Sequence, residues 1–311
     1  MKTVREPLWA ATFHALARRP GVILFLGASD TGKTTFVRSC AAHFCRSGVA
    51  PVAILDSDIG QSTVGPPATV GLSMLVRPSS TRRSLPCHAL SFVGSVSPVG
   101  HLLQIAVATR TLADEALRRG AKAVLIDTTG LVVGTAGFQL KSAKIALLDP
   151  QHVVAFQRRN ELEPVLSLFE HRPNLAIHRL PACRSARLRS LAERYRYRTR
   201  RFRAYFRRAR SLAFDASRLI VLSPPSGRLG SSAEPLLPLL SLDRLSPESL
   251  KGLLVGLNYD YNRTVALGLI QRLHSRGDTI EILAPLREAS CVRVIQISNI
   301  RLARRGEDLG E

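Results

Sequence analysis

The stretch that most constrains the fold is residues 21–35, GVILFLGASDTGKTT. A continuous apolar run of this kind is what a strand buried on both faces of a parallel sheet shows. It opens directly into Gly27-Ala28-Ser29-Asp30-Thr31-Gly32-Lys33-Thr34, which fits G-x-x-x-x-G-K-[ST] in full and leads through Thr35 into a helix expected over about 33–46. In such a loop the glycines let backbone N–H groups turn inward on phosphate oxygens. The helix N-terminus adds partial positive charge, and Lys33 reaches the β and γ oxygens. Thr34 offers a hydroxyl to Mg²⁺. Gly27 through Thr35 are therefore the expected nucleotide-binding residues.

The rest of the chain fits a sheet built around that strand. Apolar runs at VAILD (52–56), HALSFV (88–93), AVLIDTTG (123–130) and HVVAFQ (152–157) read as strands, and helical spacing is expected over 8–19, 101–119, between the last two strands, and over 161–170. The segment 62–87, rich in Ser, Pro, Thr and Gly, reads as an extended loop region. Strand–helix alternation predicts an α/β fold, mainly parallel, with helices on both faces. SPPSGRLGSSAEPLLPLL (223–240) has the composition of an inter-domain connection. Beyond it, LKGLLVGLN, TVALGLIQRL, TIEILAPL and VRVIQISNIRL predict a small, mostly antiparallel β module, and RRGEDLGE a frayed tail. The expected division is a short N-terminal helix (1–20), a P-loop domain (21–217) that includes an arginine-rich helix (184–210), and a β-rich C-terminal domain (218–311).

LDSDIGQ (55–61) ends the second buried strand with two carboxylates, Asp56 and Asp58, followed by Gln61. Asp56 is placed like a metal-organising aspartate beside a P-loop, and Asp58 points the same way one step further out. If Asp56 serves the magnesium, Asp58 is left to take a proton from an attacking hydroxyl, while Gln61 orients a water or an acceptor. Asp127, at the end of a third apolar strand, is a competing metal ligand, and the sequence does not separate it from Asp56. Thr128, Thr129 and Gly130 follow it and are candidate phosphate or substrate contacts.

Charge narrows the partner. Forty-four Lys+Arg against 23 Asp+Glu give +21, and only six of the basic residues are lysine. Residues 184–210 hold twelve arginines and one glutamate, or +11, which implies a polyanion, with nucleic acid favoured. Arg194, Arg198 and Arg201 share one helix face, and interleaved Tyr195, Tyr197, Phe202, Tyr205 and Phe206 offer either stacking surfaces or core anchors. A lid whose arginine closes on a transferring phosphoryl group is a further role for this helix. No apolar run approaches the roughly 18–20 residues of a membrane span, and the N-terminus lacks a secretory h-region, so a cytoplasmic protein without membrane contact is expected. The five cysteines include no C-x-x-C pair and the eight histidines show no H-x-x-x-H spacing, which gives no support to a disulfide framework or a zinc site.

Six segments in this order, GASDTGKTT, LDSDIGQSTVGPP, FVGSVSPVGHL, LIDTTGLVVGTAGFQLK, ERYRYRTRRFRAYF and LLVGLNYDYNRTVALGLI, resemble the polynucleotide 5′-hydroxyl kinase family of pre-mRNA, tRNA and ribosomal RNA processing. The resemblance spans about residues 7–303 and is similar to the short archaeal and bacterial members. It implies ATP, with GTP as an alternative, and Mg²⁺ as cofactors. It also implies an acceptor with a 5′-OH end, RNA before DNA. By the resemblance Lys33 and Thr34 hold the triphosphate and metal, Asp58 is the base, Asp56 supports the metal, and Thr128 belongs to a clasp over the acceptor end. The arginine-rich helix is the lid, with Arg194, Arg198 and Arg201 as phosphoryl-stabilising candidates, and Ser97-Pro98 lies near the bound strand. Leu131 stands where eukaryotic members often have tryptophan, and only about twenty residues precede the P-loop, which suggests a minimal kinase. The competing readings are a nucleotide-locked RNA-processing scaffold without turnover, and a P-loop GTPase or ATPase with Gln61 orienting water.

Overall fold

A computed structural model describes residues 7–78, 85–183, 186–222, 247–274 and 279–303. The expected connection at 223–240, the tail at 304–311 and Arg184 lie outside the described residues.

Helix α1 (Pro7–Arg18) precedes strand β1 (Val22–Gly27) and helix α2 (Lys33–Arg46). Then come β2 (Val52–Ser57), β3 (Thr69–Leu75), β4 (Ala89–Phe92), α3 (Leu102–Arg118), β5 (Ala123–Thr128), α4 (Gly134–Leu148), β6 (His152–Gln157), α5 (Glu163–Leu166) and β7 (Ala176–Pro181). The arginine-rich helix is α6 (Leu191–Phe206), followed by β8 (Arg210–Asp215), β9 (Ile220–Leu222), α7 (Pro247–Leu250), β10 (Leu253–Asn258), β11 (Thr264–Leu273), β12 (Thr279–Ala284) and β13 (Val294–Arg301).

Five parallel strands in the order β7-β6-β1-β5-β2 form the P-loop half, extended by antiparallel β3 and β4. Alternate residues of β1 feed two cores. Leu24 and Leu26 pack with α3 and α4, while Ile23 and Phe25 pack with α1 and α2 on the other face. Burial on both sides is why the run reads as unbroken apolar sequence rather than alternation. The expected α/β architecture with helices on both faces is therefore observed. One expectation fails: residues 69–75 are a buried strand inside the segment read as loop. Thr69, Gly71 and Ser73 hid it, because a strand covered on both faces needs small residues where neighbours approach. A Cβ on Gly71 would lie 2.3 Å from the Val64 carbonyl oxygen.

The C-terminal half is a largely antiparallel array, β8-β12-β11-β10-β13, with β9 parallel to β13 at its edge. It joins the first half where β11 meets β4, Thr264 against Leu90, and the Phe92 N–H donates to the Thr264 hydroxyl at 2.8 Å. Strand β8 lies before residue 218 in sequence, yet it pairs along its whole length with β12. Between the halves runs α6. Its start carries a capping box, in which the Glu193 N–H donates to the Ser190 side chain and the Glu193 carboxylate accepts from the Ser190 N–H. Its far end buries Phe202 and Phe206 against Phe92, Leu254, Leu267 and Ile300.

Candidate active site

The loop between β1 and α2 curls through Gly32, whose φ of 94° is a left-handed conformation that glycine adopts without strain. Lys33 is buried, and its Nζ donates to the carbonyls of Gly27 and Ala28 at 2.7 Å each. Burial pushes its pKa down, and the carboxylates of Asp127 and Asp58 oppose that shift. Thr31 is fully buried with its hydroxyl on the Ala28 carbonyl, and exposed Thr35 lines the cleft above. The strand after Asp127 closes against the loop from the side. A Cβ on Gly130 would lie 2.1 Å from Ser29 Oγ, so only glycine permits that approach.

The three carboxylates separate by their partners. Asp127 Oδ2 accepts from the Thr34 hydroxyl at 2.6 Å, while its Oδ1 is buried and takes no hydrogen bond among the described residues. Burial, and then the neighbouring Asp56, raise its pKa to about 7. An orphaned, buried carboxylate oxygen beside a P-loop hydroxyl fits a cation, and Mg²⁺ is commonly held by one carboxylate plus phosphate oxygens. Asp56 is filled instead. Its Oδ2 accepts from the Thr63 N–H at 2.5 Å, the Thr63 hydroxyl at 2.8 Å and the Val64 N–H at 3.1 Å, and its Oδ1 accepts from the Asp58 N–H at 3.0 Å. Asp56 thus ties down the 57–64 loop, with three of its four hydrogen bonds gathered on Oδ2. Asp58 accepts through Oδ1 from the N–H groups of Gly60 and Gln61, at 3.3 and 3.2 Å, and its Oδ2 takes no hydrogen bond among the described residues.

Beneath these acids lie two lysines that the sequence reading passed over. Lys141 and Lys144 of α4 are fully buried. Lys141 donates to the Thr128 hydroxyl at 3.0 Å and to the Thr129 carbonyl at 2.6 Å. Lys144 donates to Ser57 Oγ, which lies 2.8 Å from the Thr109 hydroxyl, itself a donor to the Ile105 carbonyl. Burial lowers both pKa values, that of Lys144 to about 7, and the aspartates of the site oppose the shift. The signal was present in FQLKSAKIALL: lysines at i, i+3 share the stripe that buries Leu140, Ile145 and Leu148.

From above, α6 closes the cleft. Arg194 forks onto the P-loop, with Nη1 to Ser29 Oγ at 3.2 Å and Nη2 to Asp30 Oδ2 at 2.8 Å. Arg189 adds its N–H to Asp30 Oδ2 at 3.1 Å and its Nε at 3.3 Å from Oδ1. Arg158, just past β6, donates to the Ser29 and Asp30 carbonyls at 3.2 and 2.9 Å. Neither Arg158 nor Arg189 was singled out from sequence, although a basic residue just past a buried strand beside a P-loop is a readable cue. Loop, acids and lid enclose about 660 Å³, lined by Ser29 through Thr35, Asp58, Gln61, Thr63, Arg189, Arg194 and Tyr197 among others.

Several expected contacts are placed elsewhere. Arg201 donates to the Gly65 carbonyl and Arg198 is half-buried lower on the same face, so of the three lid arginines only Arg194 lines the cleft. Thr128, expected over the acceptor end, is fully buried, with its hydroxyl donated to the Phe25 carbonyl at 2.7 Å. Thr129 is buried too, its hydroxyl accepting from the Leu131 N–H. Ser97 and Pro98 lie outside the cleft lining, in a loop that touches the site through Val96, whose carbonyl abuts Gly60. Among the interleaved aromatics, Phe202 and Phe206 are core anchors, the Tyr197 hydroxyl donates to the Ser62 carbonyl, and Tyr205 accepts from the Leu267 N–H, while Tyr195 is exposed.

Sheet, loop and helix define a P-loop nucleotide-binding protein whose cleft is lined by carboxylates and by arginines of and just before α6. The chain belongs to the family whose model is described as mRNA cleavage and polyadenylation factor CLP1 P-loop, which matches residues 27–208. It is 30% identical to the polyribonucleotide 5′-hydroxyl-kinase of Pyrococcus furiosus, over 94% of this chain and 91% of that protein. With the polyribonucleotide 5′-hydroxyl-kinase of Methanocaldococcus jannaschii it shares 28% identity over 94% and 90%. Among solved structures, the wild-type Clp1p–Pcf11p complex matches with a TM-score of 0.70 at 12% identity, covering 94% of this chain and 78% of that one, a likeness of fold. Among the described residues no helix is long and apolar enough to cross a membrane.

Proposed function

We propose that this chain transfers the γ-phosphoryl group of ATP to the 5′-hydroxyl end of RNA. The relatives that cover nearly its whole length carry that activity in their names. The observation in the site that carries the reading is Asp58: a carboxylate tethered through one oxygen, the other unbonded, lining the same cleft as Lys33, Thr34 and Arg194.

Asp58 Oδ2 accepts the proton as the 5′ oxygen bonds to the γ phosphorus and the bond from that phosphorus to the β–γ bridging oxygen breaks, releasing ADP. Asp56 fixes the loop that carries Asp58, and Gly60 and Gln61 aim its carboxylate through their N–H groups. Lys33 and the loop N–H groups hold the β and γ oxygens, and Arg194 neutralises charge on the phosphoryl group in flight. Thr34 and Asp127 would hold Mg²⁺, which supplies charge neutralisation on the phosphate oxygens when bound. Gln61 has its side chain engaged, Nε2 on the Gly60 carbonyl at 2.8 Å and Oε1 accepting from Arg189 at 3.2 Å, which disfavours the water-orienting role of a hydrolase.

The test is transfer from γ-labelled ATP to RNA with a 5′-OH end, beside the same RNA carrying a 5′-phosphate. Label on the first alone is expected, and Asp58→Asn abolishes it while nucleotide binding persists. Binding is readable from Trp9, the sole tryptophan, whose ring would lie 4.0 Å from a Cβ on Gly32. ATP hydrolysis indifferent to the RNA end rejects the reading, and a fully active Asp58→Asn rejects Asp58 as the base.

A further inference from the structure

The outer face of α6 takes no part in the reaction above. Its inner face is committed to the P-loop, the Ser62 and Gly65 carbonyls and the Leu267 N–H. The opposite side carries Arg196, Arg200, Arg203 and Arg207, all exposed, at i, i+4, i+7 and i+11, which is a single stripe. At about 1.5 Å per residue the stripe and its inner neighbour Arg194 span roughly 20 Å from the P-loop to the C-terminal array.

At its far end the stripe meets a cavity of about 550 Å³, built by Tyr205, Arg207, Arg208 and Arg210 against Leu286 and Arg287. Arg210 holds that wall in place, donating to the Leu286 carbonyl at 2.8 Å and to the Arg287 carbonyl. No acidic residue lines the cavity, and Arg207 and Arg208 have no ion-pair partner among the described residues. A surface shaped only for solubility intersperses both signs, because adjacent like charges repel. A concave, acid-free arginine wall, carried on the same helix that brings Arg194 to the cleft, is matched by a chain of phosphates.

We propose that the outer stripe of α6 and the arginine-lined cavity at its end form the track for the body of a single-stranded RNA acceptor whose 5′ end lies at Asp58. The proposal rests on the kinase reading. A stacked strand rises about 3.4 Å per nucleotide along its axis, so roughly 20 Å corresponds to about six nucleotides. Acceptors shorter than that reach the catalytic cleft alone; longer ones also engage the cavity. Length, rather than base identity, then sets acceptor affinity.

The experiment compares a 5′-OH dinucleotide with a 5′-OH single strand of about twenty nucleotides. Both are given to the full-length wild type and to the triple variant Arg207→Ser, Arg208→Ser, Arg287→Ser. Expected for the wild type is a KM lower for the long strand than for the dinucleotide. In the variant the long-acceptor KM rises roughly tenfold, and the slope of log affinity against log salt is shallower by about 2, at about 0.7 for each phosphate that is no longer neutralised. Dinucleotide transfer is unchanged. A variant that handles the long strand like the wild type overturns the track and leaves the cavity to an acidic protein; equal loss on both acceptors overturns it as general damage. Binding of the long strand by fluorescence anisotropy judges the track even if neither acceptor is labelled, an outcome that sinks the kinase reading by itself.

Discussion

Positive charge meets the site from two sides, and the two sides use different residues. Below the carboxylates the chain places lysines: Lys33, Lys141 and Lys144, half of its six, are buried there. Above, it places arginines: α6 carries six, each exposed or half-buried. The physics of the two cations explains the division. An ammonium is compact, and burial lowers the pKa of each of these lysines while the acids beside them oppose the shift, so their charge depends on those acids. A guanidinium stays charged and presents a planar fork, which suits a group that must leave one anion and take another. The floor is therefore electrostatically soft and fixed in place, while the roof is hard and positioned by exchangeable ion pairs.

The largest effect tests the roof. Arg194→Ala is expected to lower kcat roughly 10³-fold with little change in Tm, and Arg194→Lys to recover only part of it, because a single ammonium cannot span Ser29 and Asp30. Near-normal turnover in Arg194→Ala would make the roof a binding surface rather than part of the reaction.

The floor is tested by stability against pH. Lys144 titrates near 7 in the folded chain and near 10.5 when unfolded. Between those values the unfolded chain binds the extra proton, so this group makes wild-type stability rise with pH from about 7 towards 10. Below about 7 the cost of the buried charge is felt in full. Lys144→Met removes both the cost and the rise. Urea melts should show the variant's stability relative to wild type falling by on the order of 2–4 kcal/mol across that window. Parallel curves would show that Lys144 is fully charged when folded, and the contrast between soft floor and hard roof would be lost.

The smallest effect concerns the joint between them. Asp30→Asn keeps the shape of the loop but removes the charge shared by Arg189 and Arg194. A fall in kcat of about tenfold is expected, with nucleotide binding nearly intact, and Asp30→Asn added to Arg194→Ala should lower kcat no further. Additive losses would mean that Asp30 acts on the phosphates and not through the lid.

Much of this was legible beforehand because it is local. The P-loop needs a strand, a glycine turn and a helix within fifteen consecutive residues, and α2 begins at Lys33 and ends at Arg46 as the pattern predicts. Strands β1, β5 and β6 announce themselves through unbroken apolar runs. Strand β3 does not, since tight packing filled it with small residues. The pairing of β8 with β12 is likewise invisible, because nothing within residues 210–215 names a partner some seventy positions on. Within the site, the motif named Lys33 and Thr34 directly, whereas Lys141 and Lys144 looked like ordinary helix-surface lysines until α4 turned that face inward.

The sequence by itself determined the nucleotide loop, the pair of strand-end acids and the arginine helix, because each is written in contiguous residues with a fixed period. Only the tertiary structure gave the carboxylates, and likewise the arginines, their different hydrogen-bond partners. Asp127 is set apart by a hydroxyl 93 residues away, Asp56 by the loop that folds back over it, and Arg194 by the meeting of a helix and a turn 164 residues apart. A carboxylate's role follows from which of its lone pairs remain unbonded, and that is a property of the packed site rather than of the residue.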